Sequence, residues 1–174
     1  MLEATFISNK TKKRLVKYSF VIVFAVITWI LQLSLFSRFL IFDSSPNVIY
    51  LGTIFSGIVG GPLIGGFFGI ISSFLSCSIL HDHIFYVSYP LIGFAAGVLT
   101  KSNFADEFML FIMASIAFVF VLEMLNGVQY SLKHDIDIVQ RYILLSFSGV
   151  LINVFFAPFF YWFMKILTNK SKIR

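Results

Sequence analysis

The chain has 174 residues, of which 59% are hydrophobic and 12% charged, with a mean hydropathy of +0.93 and a net charge of +5. Soluble domains carry about 25% charged residues and need a polar surface, so that class is excluded. At about 20 residues per crossing, six spans would use the whole length. The basic residues cluster at the two ends of the chain, flanking apolar segments. They read as orientation signals and as attraction to the bilayer's anionic head groups. No aromatic-interleaved basic groove is visible, and no nucleic acid is expected as a partner.

A basic segment, residues 1–17, precedes the first apolar run, about 18–37. That run lacks a clear small-residue cleavage site before Arg38 and reads as a retained span rather than a signal peptide. Gln32 within it is expected to hydrogen-bond to a neighbouring helix. The second and third segments, about 47–61 and 62–80, are separated only by Gly60-Gly61-Pro62. This sequence breaks or sharply turns a helix. The second segment is short for a crossing, and a re-entrant half-helix is the alternative, tolerated only under protein cover. His81-Asp82-His83 follows; two histidines and a carboxylate can ligate a metal, but this spacing favours a wetted turn, and no metal is expected. Cys77, the single cysteine, reads as a packing residue.

Further segments fall at about 84–100, 108–130 and 142–164, and a basic tail at 168–174. The expected fold is an all-α integral membrane protein, a single bundle of about six transmembrane helices over 18–167. An even number of spans places ten of the thirteen Lys and Arg on one side and only Arg38, Lys133 and Arg141 on the other. The positive-inside rule then predicts both termini in the cytoplasm.

Gly57, Gly61, Gly65 and Gly69 recur every four residues, and Gly93 and Gly97 repeat the spacing. Small residues so spaced let helix backbones approach in lipid. Spacing alone leaves open whether they pack this chain's own helices or receive another protein's helix. Polar groups at membrane depth are costly and need partners. Glu123, with Asn126 at i+3 on the same face, lies in the fifth segment, and Asn153 near the middle of the sixth. The expected roles for Glu123 are a helix-tying carboxyl, a partner-binding or switch acid, or a proton relay. The last is disfavoured because no second acid lies at its depth. The expected role of Asn153 is a helix–helix hydrogen bond. Contact between Glu123 and Asn153 would require tilt or a bridging water. No phosphate loop, nucleophile elbow, catalytic carboxylate pair or zinc-protease helix is present in the sequence. Neither an enzyme nor a cofactor is expected.

Several of these features, in this order, resemble MreD, the membrane subunit of the bacterial rod-shape machinery. They are Gln32, Pro46-Asn47, the glycine run Gly57 to Gly69, Tyr89 to Gly97, Leu122-Glu123 with Gly127, and Leu151-Ile152-Asn153 with Pro158. Many family members carry an Asp where this chain has Ser73. The resemblance implies a compact bundle like that of energy-coupling transporter substrate-binding subunits, in the bacterial inner membrane. It implies a non-catalytic scaffold that binds an MreC-like bitopic protein. It also implies association with the MreB filament and with the elongation glycosyltransferase and transpeptidase. The alternative is a substrate-binding subunit of an energy-coupling vitamin transporter.

Overall fold

A computed structural model of the chain describes residues 9–40, 45–80, 85–100, 106–134 and 138–171. These are helical almost throughout: α1 Asn9–Ser34, α2 Val48–Gly60, α3 Pro62–Leu80, α4 Phe85–Leu99, α5 Glu107–His134 and α6 Ile138–Ser171, with one 3-10 turn at Phe36–Arg38. No strand occurs among the described residues. The Tyr18–Arg38 stretch and parts of α5 and α6 (Glu107–Leu125 and Phe147–Ile166) are long and apolar enough to cross a membrane. They are compatible with a multi-pass membrane protein. Three further apolar helices, α2, α4 and most of α3, are shorter.

The long helices form the outside of the bundle. Val23 and Ile30 on α1, Met113 and Phe120 on α5, and Phe155, Phe159 and Trp162 on α6 are exposed apolar residues. Such an inverted surface suits lipid rather than water. The short helix α2 is the centre, and it touches each of the other five helices. Every residue from Val48 to Ile58 is buried. At 1.5 Å per residue α2 is roughly 20 Å long, short of the ~30 Å hydrocarbon thickness. Burial on all sides would permit a helix end at membrane depth, where lipid offers backbone groups no partner. The polar side chains of α2 turn onto its own backbone: Thr53 Oγ1 donates to the Ile49 carbonyl and Ser56 Oγ to the Thr53 carbonyl, each at 2.9 Å.

The junction of α2 and α3 is a single residue. Gly61 sits at φ 87°, ψ 174° and donates its N–H to the Gly57 carbonyl at 2.8 Å. That backbone region is open essentially to glycine alone. Pro62 then opens α3, where a missing N–H costs nothing. Gly61 is therefore the turn of the glycine series; a Cβ there would meet nothing within 4 Å, although its backbone faces Gly97.

α1 and α6 run further into the basic flanks than the apolar segments alone mark, as Lys and Arg are good helix formers. The connection expected at 131–141 is mostly helix, since α5 reaches His134 and α6 starts at Ile138. His81-Asp82-His83 lies outside the described residues.

Candidate functional site

Gly57, Gly65, Gly93 and Gly97 gather at one end of α2, and Gln32, Asn47 and Asn153 at the other. At its C-terminal end, α2, α3 and α4 meet backbone to backbone. A Cβ on Gly57 would run into the Gly93 carbonyl oxygen, and into Ala96 Cβ and Gly97 N at 3.0 Å. One on Gly65 would strike the Gly93 carbonyl and Gly57 Cα; one on Gly93 would strike the Gly65 carbonyl. Gly97 faces the backbone of Gly61 and Pro62. One turn further along α3, a Cβ on Gly69 would sit 2.5 Å from the Tyr89 carbonyl and 2.7 Å from Pro90. All five of these glycines are buried. Their flat faces are spent on one another, within this chain.

At the other end of α2 the chemistry is polar. The first N–H groups of a helix have no intrahelical acceptor. Here three of them receive side-chain acceptors from three places in the sequence. Asn47 N–H donates to Asn153 Oδ1 on α6 at 2.7 Å, and Val48 N–H to Gln32 Oε1 on α1 at 2.7 Å. Tyr50 N–H donates to Asn47 Oδ1 at 3.0 Å, the N-cap bond of an Asn. The remaining groups are tied in turn. Asn47 Nδ2 donates to Tyr89 Oη on α4 at 3.2 Å, and Asn153 Nδ2 to the Gly149 carbonyl at 2.8 Å. Four helices are thus joined through one helix terminus. Tyr50 and Tyr89 lie against each other with ring centroids 5.9 Å apart.

Asn153 accordingly bridges two helices, and α2 is the helix it reaches. Glu123 is half-buried between α5 and α6, laid over Gly149, where a Cβ would stand 2.9 Å from Glu123 Oε1. Asn126 lies one turn on along α5, its side chain outside the described residues. Pro158 is inside α6, away from the clamp, where it lines a groove together with Phe108 of α5 and Phe159, Trp162 and Phe163. Ser73, where the resemblance expects an acid, is buried and donates to the Ile70 carbonyl at 2.7 Å.

One contributor escaped the sequence reading, and the role of a second was not drawn from it. Gly149 makes the room that Glu123 occupies, but its isolated position on α6 gave no spacing signal. Asn47 is the centre of the clamp, and it carried one: an Asn immediately before an apolar run is an N-cap signature. Among the described residues there is no group of three or more His, Cys, Asp or Glu that could hold a metal. What the arrangement does is mechanical: it fixes a buried helix at both ends. No family model, curated protein or solved structure matches the chain.

Proposed function

We propose that this chain is a non-catalytic membrane scaffold of the MreD kind. It crosses the bacterial inner membrane six times with both termini in the cytoplasm, in a bundle like that of energy-coupling substrate-binding subunits. It binds an MreC-like bitopic protein and links MreB filaments to the elongation glycosyltransferase and transpeptidase. One observation carries this reading. Gln32, Asn47, Tyr89 and Asn153, which belong to four separate stretches of the resemblance, converge on one helix terminus. The short motifs would scatter if their likeness were only shared hydrophobicity. The six-span count draws on the ten-to-three distribution of Lys and Arg and on protein cover around the short helices.

Affinity capture of the tagged chain from its own membranes tests the reading. A bitopic MreC-like protein and wall-elongation enzymes should co-purify. Recovery of ATPase subunits, or of a bound vitamin, would replace the scaffold with a transporter subunit. A reporter active only in the periplasm, fused after residue 174, should be silent; activity there breaks the six-span topology.

A further inference from the structure

Away from the clamp, at the end of the bundle where α5 begins and α6 ends, a groove of about 470 Å³ opens sideways. Its lining is Phe108 from α5 and Pro158, Phe159, Trp162, Phe163 and Ile166 from α6. The volume lies in the range of small-molecule sites, yet no lining residue carries a charge. Phe159 and Trp162 are 67% and 70% exposed, so the groove faces whatever surrounds the bundle. From Pro158 to Ile166 it runs roughly 12 Å at the helical rise. That is under half the ~30 Å of the hydrocarbon layer. A crossing helix would need a longer face and small residues at the contact; large rings frame this one. An acyl chain has the required length and chemistry.

The rim adds a second requirement. Glu107 immediately precedes Phe108, and Lys165 immediately precedes Ile166. Both are exposed, at the ends of candidate spans. The Tyr161 hydroxyl lies between them: it donates to Glu107 Oε2 at 3.5 Å and accepts from Lys165 Nζ at 3.4 Å. The Lys165 ammonium also stands 5.4 Å from the Tyr161 ring centroid. These separations exceed the 2.7–2.9 Å of a strong charge-assisted hydrogen bond, so both charges keep capacity for a ligand. A negative and a positive group are thus held one hydroxyl apart on Tyr161, whose ring lies 5.3 Å from that of Phe108 in the groove lining.

We propose that this groove binds an aminophospholipid of the phosphatidylethanolamine type. One acyl chain lies along Phe159, Trp162 and Ile166, the phosphate meets Lys165, and the primary ammonium meets Glu107. A purely anionic head group would satisfy Lys165 but confront Glu107. A choline head group carries the positive charge but has no N–H to donate. The inference depends on α5 and α6 crossing a membrane and is independent of the scaffold reading.

The test offers the purified chain equal amounts of phosphatidylethanolamine, phosphatidylcholine and phosphatidylglycerol with identical acyl chains. Retained lipid is counted by native mass spectrometry. Phosphatidylethanolamine should exceed each competitor by about fivefold, the factor an exposed ion pair is worth. Glu107→Gln should erase its advantage over phosphatidylcholine, and Lys165→Gln should lower retention of all three. Equal retention by the wild type, or preference for phosphatidylglycerol, overturns the proposal. A photo-crosslinking amino acid in place of Phe159 should yield a lipid adduct in native membranes. A polypeptide adduct would make the groove a protein-docking face and would equally overturn it.

Discussion

The two ends of α2 are secured by opposite means. At Gly57 three backbones meet with only the Ala96 methyl beside them, whereas at Asn47 three side chains reach in to meet backbone N–H groups. The first joint is selective by size and indifferent to chemistry. The second is selective by chemistry, because each N–H needs an acceptor at one position. In lipid neither joint is helped by expulsion of water, so close packing and hydrogen bonds carry the association. The two joints should therefore fail differently. The glycine joint should fail to any added carbon, and the polar joint only to loss of an oxygen.

The largest effects are expected at the glycine joint. Gly65→Ala and Gly93→Ala each place a Cβ against a backbone carbonyl, which cannot rotate away as a side chain can. Overpacking of this kind costs about 1–3 kcal/mol, and Leu at either position should prevent accumulation of folded protein. Gly66→Ala is the matched control. Its Cβ would lie 3.8 Å from Phe94 Cβ, an ordinary contact, and stability should stay within about 0.5 kcal/mol. By spacing alone Gly52 is off the stripe and should be mild. The structure makes it intermediate, with a Cβ 3.2 Å from the Phe68 ring and 3.3 Å from Thr28 Cγ2, side chains able to shift slightly. Thermal unfolding in detergent ranks the four sites. Equal loss at Gly65 and Gly66 would show that close backbone contact is not what makes the glycine joint sensitive.

That ranking also marks what the sequence conveys. The every-four spacing located Gly57, Gly65 and Gly69, and the Gly-Gly-Pro run located the turn. Spacing could not distinguish Gly61, whose φ of 87° makes it the turn itself, from the glycines whose missing Cβ admits a neighbour. The segment limits at 47–61, 62–80 and 84–100 were legible because charge, proline or glycine bounds each one. Asn153 was legible as a residue needing a partner, but not the partner. The partner is set by depth: thirteen residues end before the bundle does, so the start of α2 lies level with Gln32 and Asn153. Helix length is visible in the sequence, while the relative depth of three helices is a product of packing.

At the polar joint, Asn153→Ala should leave the Asn47 N–H buried without an acceptor. Gln32→Leu should do the same to the Val48 N–H. Each is expected to lower stability by about 1–2 kcal/mol, less than the glycine variants and within the range for membrane hydrogen bonds. Asn153→Asp keeps an acceptor for the Asn47 N–H and, when protonated, a donor for the Gly149 carbonyl. At low pH it should therefore be milder than Ala, and it should worsen as the carboxyl ionises at membrane depth. If Asp and Ala are equally damaging at low pH, the Asn47 bond is not what Asn153 supplies. Unfolding midpoints measured side by side decide this.

The smallest effect is expected at Glu123, which sits beside the clamp. Its carboxyl rests on Gly149 and its stem fills the space between α5 and α6. A carboxyl in an apolar span persists only if neighbouring groups compensate its cost. Gln has the same length and supplies both a donor and an acceptor. If Glu123 acts as a hydrogen-bonding group between helices, Glu123→Gln should be nearly silent and Glu123→Leu should cost about 0.6–1.7 kcal/mol. Gly149→Ala should cost little, because the atom that its Cβ meets is the mobile end of the Glu123 side chain. If instead Glu123 is a charge that pairs with a basic group on a partner, Gln should fail as badly as Leu in partner capture, with stability unchanged. The measurement is therefore paired: unfolding in detergent and recovery of the bitopic partner, for both variants. A Glu123→Gln protein that unfolds like the wild type yet loses the partner would move Glu123 from the packing of this chain to its interaction surface. The joint at Asn47 would then be the boundary between the two.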